Sequence, residues 1–180
     1  MAEMIIDEAG RVAEEVLRPL KQSGDAEGCV LEDGAVRTPA GFGDAYRTFA
    51  AGGWGGLGGD PDFGGQGMPK MLTVAFEEMM FAANSSLYLY PALTAGATLA
   101  LAAHADDETR ARWLPRLYEG RFSGTMCLTE PHAGSDLGIM RTRAEPQADG
   151  SYAITRTKIF ITGGDHDMTE NVVHLCRSRL

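Results

Sequence analysis

The stretch Leu114-Pro-Arg-Leu-Tyr-Glu-Gly-Arg-Phe-Ser-Gly-Thr-Met-Cys-Leu-Thr-Glu-Pro-His-Ala-Gly-Ser-Asp136 changes its period halfway along. Up to Gly120 it reads as the end of a helix over Asp107 to Tyr118. Asp106 is the N-cap, and Trp113, Leu114 and Leu117 form the inward stripe. Gly120 stops that helix. From Ser123 to Thr129 the residues alternate as in a strand, and Glu-Pro-His-Ala-Gly-Ser then reads as a turn.

Upstream of this switch the pattern is helical. Residues 4–20 place Ile5, Val12, Val16, Leu17 and Leu20 near one face, and Pro19 predicts an end there or shortly after it. Residues 21–40 read as loop and 41–51 as a short helix. The run Gly52–Gly67 is irregular, because so many glycines oppose helix and strand alike. Pro69 opens a helix to about Ala83, and a second apolar helix covers about Leu87 to Ala103. Downstream, 141–145 and 152–162 read as strands around an Ala148-Asp149-Gly150 hairpin, and 172–176 as another strand. Helices first and strands afterwards predict an α+β chain: an all-α domain over 1–121, then part of a β domain over 122–180. The last strands lack obvious partners, and a sheet ended there would keep open edges, so the chain is expected to be incomplete.

Composition narrows the function classes. The 180 residues carry 16 basic and 25 acidic side chains, a net charge of −9, with 44% apolar residues. Such a field offers no general attraction to nucleic acid or anionic membranes, and an anionic ligand would need a local site. Cys29, Cys127 and Cys176 form no CxxC pair, which argues against a zinc site or a disulfide framework and suits a reducing cytoplasm. The N-terminus lacks the basic and apolar regions of a secretory signal. Met79 to Ala103 is uncharged, yet Asn84-Ser85-Ser86 and Pro91 interrupt it, which favours a core helix over a membrane span.

Gly53-Trp-Gly-Gly-Leu-Gly58 matches GxGxxG, but no strand precedes it and no helix opens at its end, so a tightly turned loop is the better reading. His166 lies between Asp165 and Asp167, which would raise its pKa, although a polar loop accounts for the segment as well. His174 and Cys176 share a strand face but do not make a metal site. The turn after Thr129 exposes backbone N–H groups, with Gly134 permitting close approach and Ser135 adding a hydroxyl. On residues alone it is a cofactor turn or an ordinary β-turn capped by Asp136.

Met126-Cys-Leu-Thr-Glu-Pro-His-Ala-Gly-Ser-Asp136 resembles a signature of the acyl-CoA dehydrogenase family, and Lys158-Ile-Phe-Ile-Thr-Gly163 resembles a second. Leu114 to Gly120 fits the family's helix-to-strand crossing, and Gly163 to Leu175 is similar to a subgroup that includes 3-methylmercaptopropionyl-CoA dehydrogenases. The resemblance implies a helical N-terminal domain, then the beginning of a β-barrel-like domain, with the chain truncated before a C-terminal helical domain. It implies FAD as cofactor, with Met126, Leu128 and Thr129 on the flavin ring. Gly134 and Ser135 would lie at the pyrophosphate, Ser135 also near acyl-CoA, and Phe160, Ile161 and Thr162 would pack on and bond to the flavin. Phe160 replaces the usual Trp, and His132 stands where many members have Gly. Leu87, Tyr90 or Leu93 could line the acyl channel.

The reaction so implied is α,β-dehydrogenation of an acyl-CoA thioester in fatty-acid metabolism, with electrons passed to an electron-transfer flavoprotein or similar acceptor by a homo-oligomer. The family's base is a glutamate of the C-terminal domain, and no glutamate here matches its motif. This chain is therefore expected to hold no catalytic residue, to be inactive alone and to bind FAD weakly. An acyl-CoA oxidase-like flavoenzyme and a truncated, non-catalytic flavin- and acyl-CoA-binding remnant are the alternatives.

Overall fold

A computed structural model describes residues 1–180. Helix α1 (Ala2–Val12) runs without a break through a wide turn at Ala13–Leu17 and a tight one at Arg18–Leu20 into α2 (Lys21–Glu27). Pro19 therefore does not end the helix, contrary to expectation. Helical geometry loosens just before the ring and tightens around it, which absorbs the missing donor and the steric clash. Asn84 Nδ2 donates to Leu17 O at 3.1 Å and satisfies a carbonyl within this irregular stretch.

The segment read as loop instead holds the whole of α2 and a hairpin, β1 (Val30–Glu32) with β2 (Ala35–Arg37), in antiparallel register. Its turn is Asp33-Gly34, with φ of 50° and 83°. That dipeptide is the favoured two-residue hairpin turn, because two positive φ values match the twist of the flanking strands.

Helix α3 (Phe42–Ala51) follows, and then the glycine-rich segment coils through short 3₁₀ turns at Trp54–Gly56 and Pro61–Phe63. Trp54 and Leu57 are buried, so this loop is a packed element. A Cβ at Gly65 would lie 2.1 Å from the Gly59 carbonyl carbon, so only a bare backbone can double back there.

Helix α4 (Lys70–His104) breaks at Asn84, where φ is −157° and ψ is 91°. Asn84 Oδ1 accepts from Leu87 N at 3.1 Å and so caps the second half as an N-terminal residue would. The two expected helices are thus present, joined at a sharp corner. By length and composition α4 is apolar enough to cross a membrane; in this fold Phe76, Met80, Leu87 and Tyr88 pack into the core. Trp54 stacks on Phe76 with centroids 4.8 Å apart, and Leu17, Phe42 and Phe49 complete the helical core.

Helix α5 (Asp107–Tyr118) starts where expected, with Asp106 Oδ1 accepting from Thr109 N at 2.7 Å. Strand β3 (Phe122–Cys127) then crosses α4. Gly124 N donates to Thr94 Oγ1 at 3.0 Å there, and the absent Cβ leaves room for Ala97. β3 pairs in parallel with β6 (Asn171–Cys176), and β4 (Arg143–Pro146) pairs antiparallel with β5 (Tyr152–Thr155). Beyond β6 the chain continues beside β4, with Arg179 N donating to Thr142 O and Ala144 N to Arg179 O, both at 2.8 Å. Apart from the early β1–β2 hairpin, helices come first and small sheets after them, the α+β order expected. The strand expected over 152–162 stops at Thr155. Arg156 and Phe160 take φ of 142° and 58°, values that no regular strand permits.

Candidate functional site

The end of β3 and the segment after β5 come together at one place. Ile159 N donates to Thr129 O at 2.9 Å, and Lys158 Nζ donates to Leu128 O at 2.9 Å. Phe160 belongs to a bend with left-handed backbone, not to the strand expected of it, and its side chain is 87% exposed. Met126 points its side chain outward too, at 49% exposure. β3 pairs with β6 alone, so its other edge meets no second strand, and Leu128 continues from its end. An unpaired strand edge and two exposed apolar side chains make a flat, half-polar ledge, the kind of surface that a ligand or another chain covers.

A buried ion pair holds the ledge. Glu130 Oε1 accepts from Lys158 Nζ at 3.0 Å, from Thr142 N at 2.9 Å and from Thr142 Oγ1 at 2.5 Å; Oε2 accepts from Arg141 N at 2.8 Å. Burial alone would raise this carboxyl's pKa. The hydrogen bonds from Thr142, Arg141 and Lys158 outweigh it and keep the group ionised, well below the usual carboxylate range. The third donor of the ammonium reaches Met140 Sδ at 3.2 Å. A charged pair shut away from water persists only when nearly every lone pair and proton has a partner, as here.

The turn after Glu130 is closed by reciprocal backbone bonds, Glu130 N to Ala133 O at 2.9 Å and Ala133 N to Glu130 O at 3.0 Å. Gly134 and Ser135 lie on its exposed side, and a Cβ at Gly134 would lie 3.7 Å from Thr129 Cγ2. Asp136 Oδ1 accepts from Gly138 N at 2.8 Å, so the Asx cap exists within the same turn. His132 is exposed, its Nε2 lying 3.2 Å from Ile139 O. Ile161 and Thr162 follow directly, before Gly163 passes over the Tyr90 ring.

His166 differs from expectation. It is buried, and burial lowers its pKa more than Asp165 and Asp167 raise it. Those carboxylates turn away: Asp165 accepts from Val36 N at 3.0 Å, and Asp167 from Thr38 N at 3.1 Å and Thr38 Oγ1 at 2.6 Å. The imidazole accepts from Met168 N at Nδ1, 3.2 Å away, so Nε2 carries the proton toward Ser123 Oγ at 2.9 Å. The Asp-His-Asp run is thus a three-way brace between the hairpin, β3 and α4.

A cavity of about 400 Å³ lies away from the ledge, between α4 and the glycine-rich segment, lined by Trp54, Phe76, Tyr88, Pro91, Thr98 and Tyr118 among others. Leu87, Tyr90 and Leu93 do not line it; Leu87 is core, and Tyr90 lies edge-on to His166 at 5.0 Å. Sequence reasoning missed Glu130 and Lys158. No local pattern marks the pair: Thr129 and His132 lie within two residues of Glu130, and Arg156 lies two residues before Lys158.

The family model described as "Acyl-CoA dehydrogenase, N-terminal domain" matches residues 1–121. A 3-methylmercaptopropionyl-CoA dehydrogenase of Ruegeria pomeroyi is 47% identical over 99% of the chain and 30% of its own length. A butyryl-CoA dehydrogenase of Syntrophomonas wolfei is 38% identical over 92% of the chain and 28% of its own length. The chain thus spans less than a third of these curated relatives. A crystal structure of an acyl-CoA dehydrogenase complexed with FAD, from Bacillus anthracis, shares the fold with a TM-score of 0.79 at 22% identity, covering 98% of the chain and 28% of that one.

Proposed function

The chain belongs to the acyl-CoA dehydrogenase family, and we propose that it supplies the helical domain and part of the flavin site of an FAD-dependent enzyme that desaturates an acyl-CoA thioester between Cα and Cβ. The observation that carries this reading is the tie between the two signature segments, Ile159 N to Thr129 O at 2.9 Å, beside the unpaired edge of β3. The ledge fits an isoalloxazine. Met126 and Phe160 offer exposed apolar surface for its faces, and the backbone at Leu128 and Thr129, just past β3, offers polar groups to its rim. Gly134 and Ser135, both exposed, would meet the pyrophosphate, with Ser135 also near the acyl-CoA, and Ile161 and Thr162 would add ring contacts. Bound there, FAD would accept the hydride from Cβ.

The proton on Cα needs a base that this chain does not contribute. Glu130 is buried, ionised and fully engaged by hydrogen bonds, so it holds structure and does not move protons. The names of the two relatives point to a short acyl group, thioether or straight. Electrons would then leave to an electron-transfer flavoprotein or a similar acceptor. We further propose 1–121 and 122–180 as the domain division.

The test is turnover of an acyl-CoA panel with an artificial electron acceptor. The expected result is activity from the full-length protein on short acyl-CoA, and none from residues 1–180 alone, which should also bind FAD weakly. Robust turnover by the 180-residue chain would refute this reading.

A further inference from the structure

Taking the flavin reading above as its basis, we infer that Lys158 is a positioning residue: its ammonium, locked by Glu130, fixes the Leu128 carbonyl and thereby the strand edge that meets the isoalloxazine. The geometry requires little else. Leu128 follows directly on the end of β3 at Cys127, beyond the register with β6, so no partner strand restrains its carbonyl. Lys158 Nζ takes that carbonyl at 2.9 Å, Glu130 Oε1 at 3.0 Å and Met140 Sδ at 3.2 Å, so each of its three protons has a fixed direction. Glu130 is itself held by Thr142 and Arg141, which anchor it to the start of β4. The next residue, Ile159, donates to Thr129 O at 2.9 Å, so consecutive residues of one segment grip consecutive carbonyls of the other.

Two consequences follow for a bound flavin. The Leu128 carbonyl already accepts from an ammonium, so its oxygen is a weaker acceptor toward a flavin rim. The bend at Phe160, with φ of 58°, is held two residues beyond the clamp, so the angle between Phe160 and Met126 depends on Lys158 staying in place. A site held within about half an ångström binds a rigid ring far better than a loose one.

Two variants of the full-length protein test this: Lys158→Met, and the double variant Glu130→Gln with Lys158→Met. The second leaves no unpaired buried charge, and it carries the test if the first does not fold. FAD is titrated into apoprotein, and the visible flavin bands are recorded with far-UV circular dichroism as the check on folding. The expected result is a folded apoprotein whose FAD dissociation constant rises at least about tenfold, the loss a charge-assisted hydrogen bond corresponds to, with altered flavin band structure. Faster amide exchange at Ile159 in the apoprotein should accompany it. A purely stabilising role would lower the melting temperature yet leave the affinity and the bands as in the parent, and that result overturns the inference. Failure of the unaltered protein to bind FAD would instead overturn the flavin reading, and this inference with it.

Discussion

A methyl group added at Gly124 would lie 2.5 Å from Ala97 Cβ and 3.5 Å from Thr94 Cα, where β3 crosses α4. Both neighbours belong to a helix that cannot give way locally, so Gly124→Ala should cost about 1–3 kcal/mol of stability, read as a lower urea midpoint. His166 makes a prediction in pH. Its folded pKa lies below the ordinary value of 6.5, chiefly through burial, so the unfolded chain binds more protons in that window. Stability should therefore be full above about pH 6.5 and fall as pH drops through the folded pKa. A His166→Gln variant should show a flatter dependence there in urea melts at a series of pH values. The charge pattern Asp-His-Asp suggested the opposite sign, because a sequence gives neighbours along the chain but not the direction in which their side chains turn. Glu130 and Lys158 were hidden for a related reason: a solvated charge and a buried, paired one look the same in a string of letters.

Asn84 illustrates how a single side chain shapes an element. It donates to Leu17 O at 3.1 Å, accepts from Leu87 N at 3.1 Å, and holds the corner that turns one apolar segment into two helices. Asn84→Ala should cost about 1–3 kcal/mol, because a buried carbonyl and a helix N-terminus lose their partner together. The loss should appear as a lower urea midpoint and as faster amide exchange in the first turn after the corner. Most helices were legible in the sequence, since apolar periodicity, the Asp106 cap and the Gly120 stop act locally; α2 was not, because Lys21–Glu27 carries no apolar stripe and lies just after Pro19. Asp33-Gly34 is a local turn signal too, but each flanking strand is three residues long and shows little alternation, so the hairpin has no strand pattern to announce it. The end of β5 at Thr155 was not legible. The run from Tyr152 to Thr162 has strand composition, and what bends it is the grip of Lys158 and Ile159 on β3, a contact between distant parts of the chain.

For the molecule as a whole, the helical core and the small sheets meet along β3, which packs on α4 and carries the ledge. The free edge of β3 should make residues 1–180 prone to association when expressed alone. Sedimentation of that fragment should show concentration-dependent self-association, and a charged side chain in the Met126→Lys variant should reduce it. Timing is a separate matter. β3 and β6 run parallel, and the whole of 128–170 lies between them, so their pairing is a non-local contact. Contacts of high sequence separation form late, after local helices have docked. During refolding, fluorescence changes at Trp54 should precede protection of the β3 amides in pulse-labelling. Until that pairing is made β3 has no partner strand to hold its edge in place, so a nascent or partly folded chain should be blind to the cofactor and become competent only once the two strands have joined.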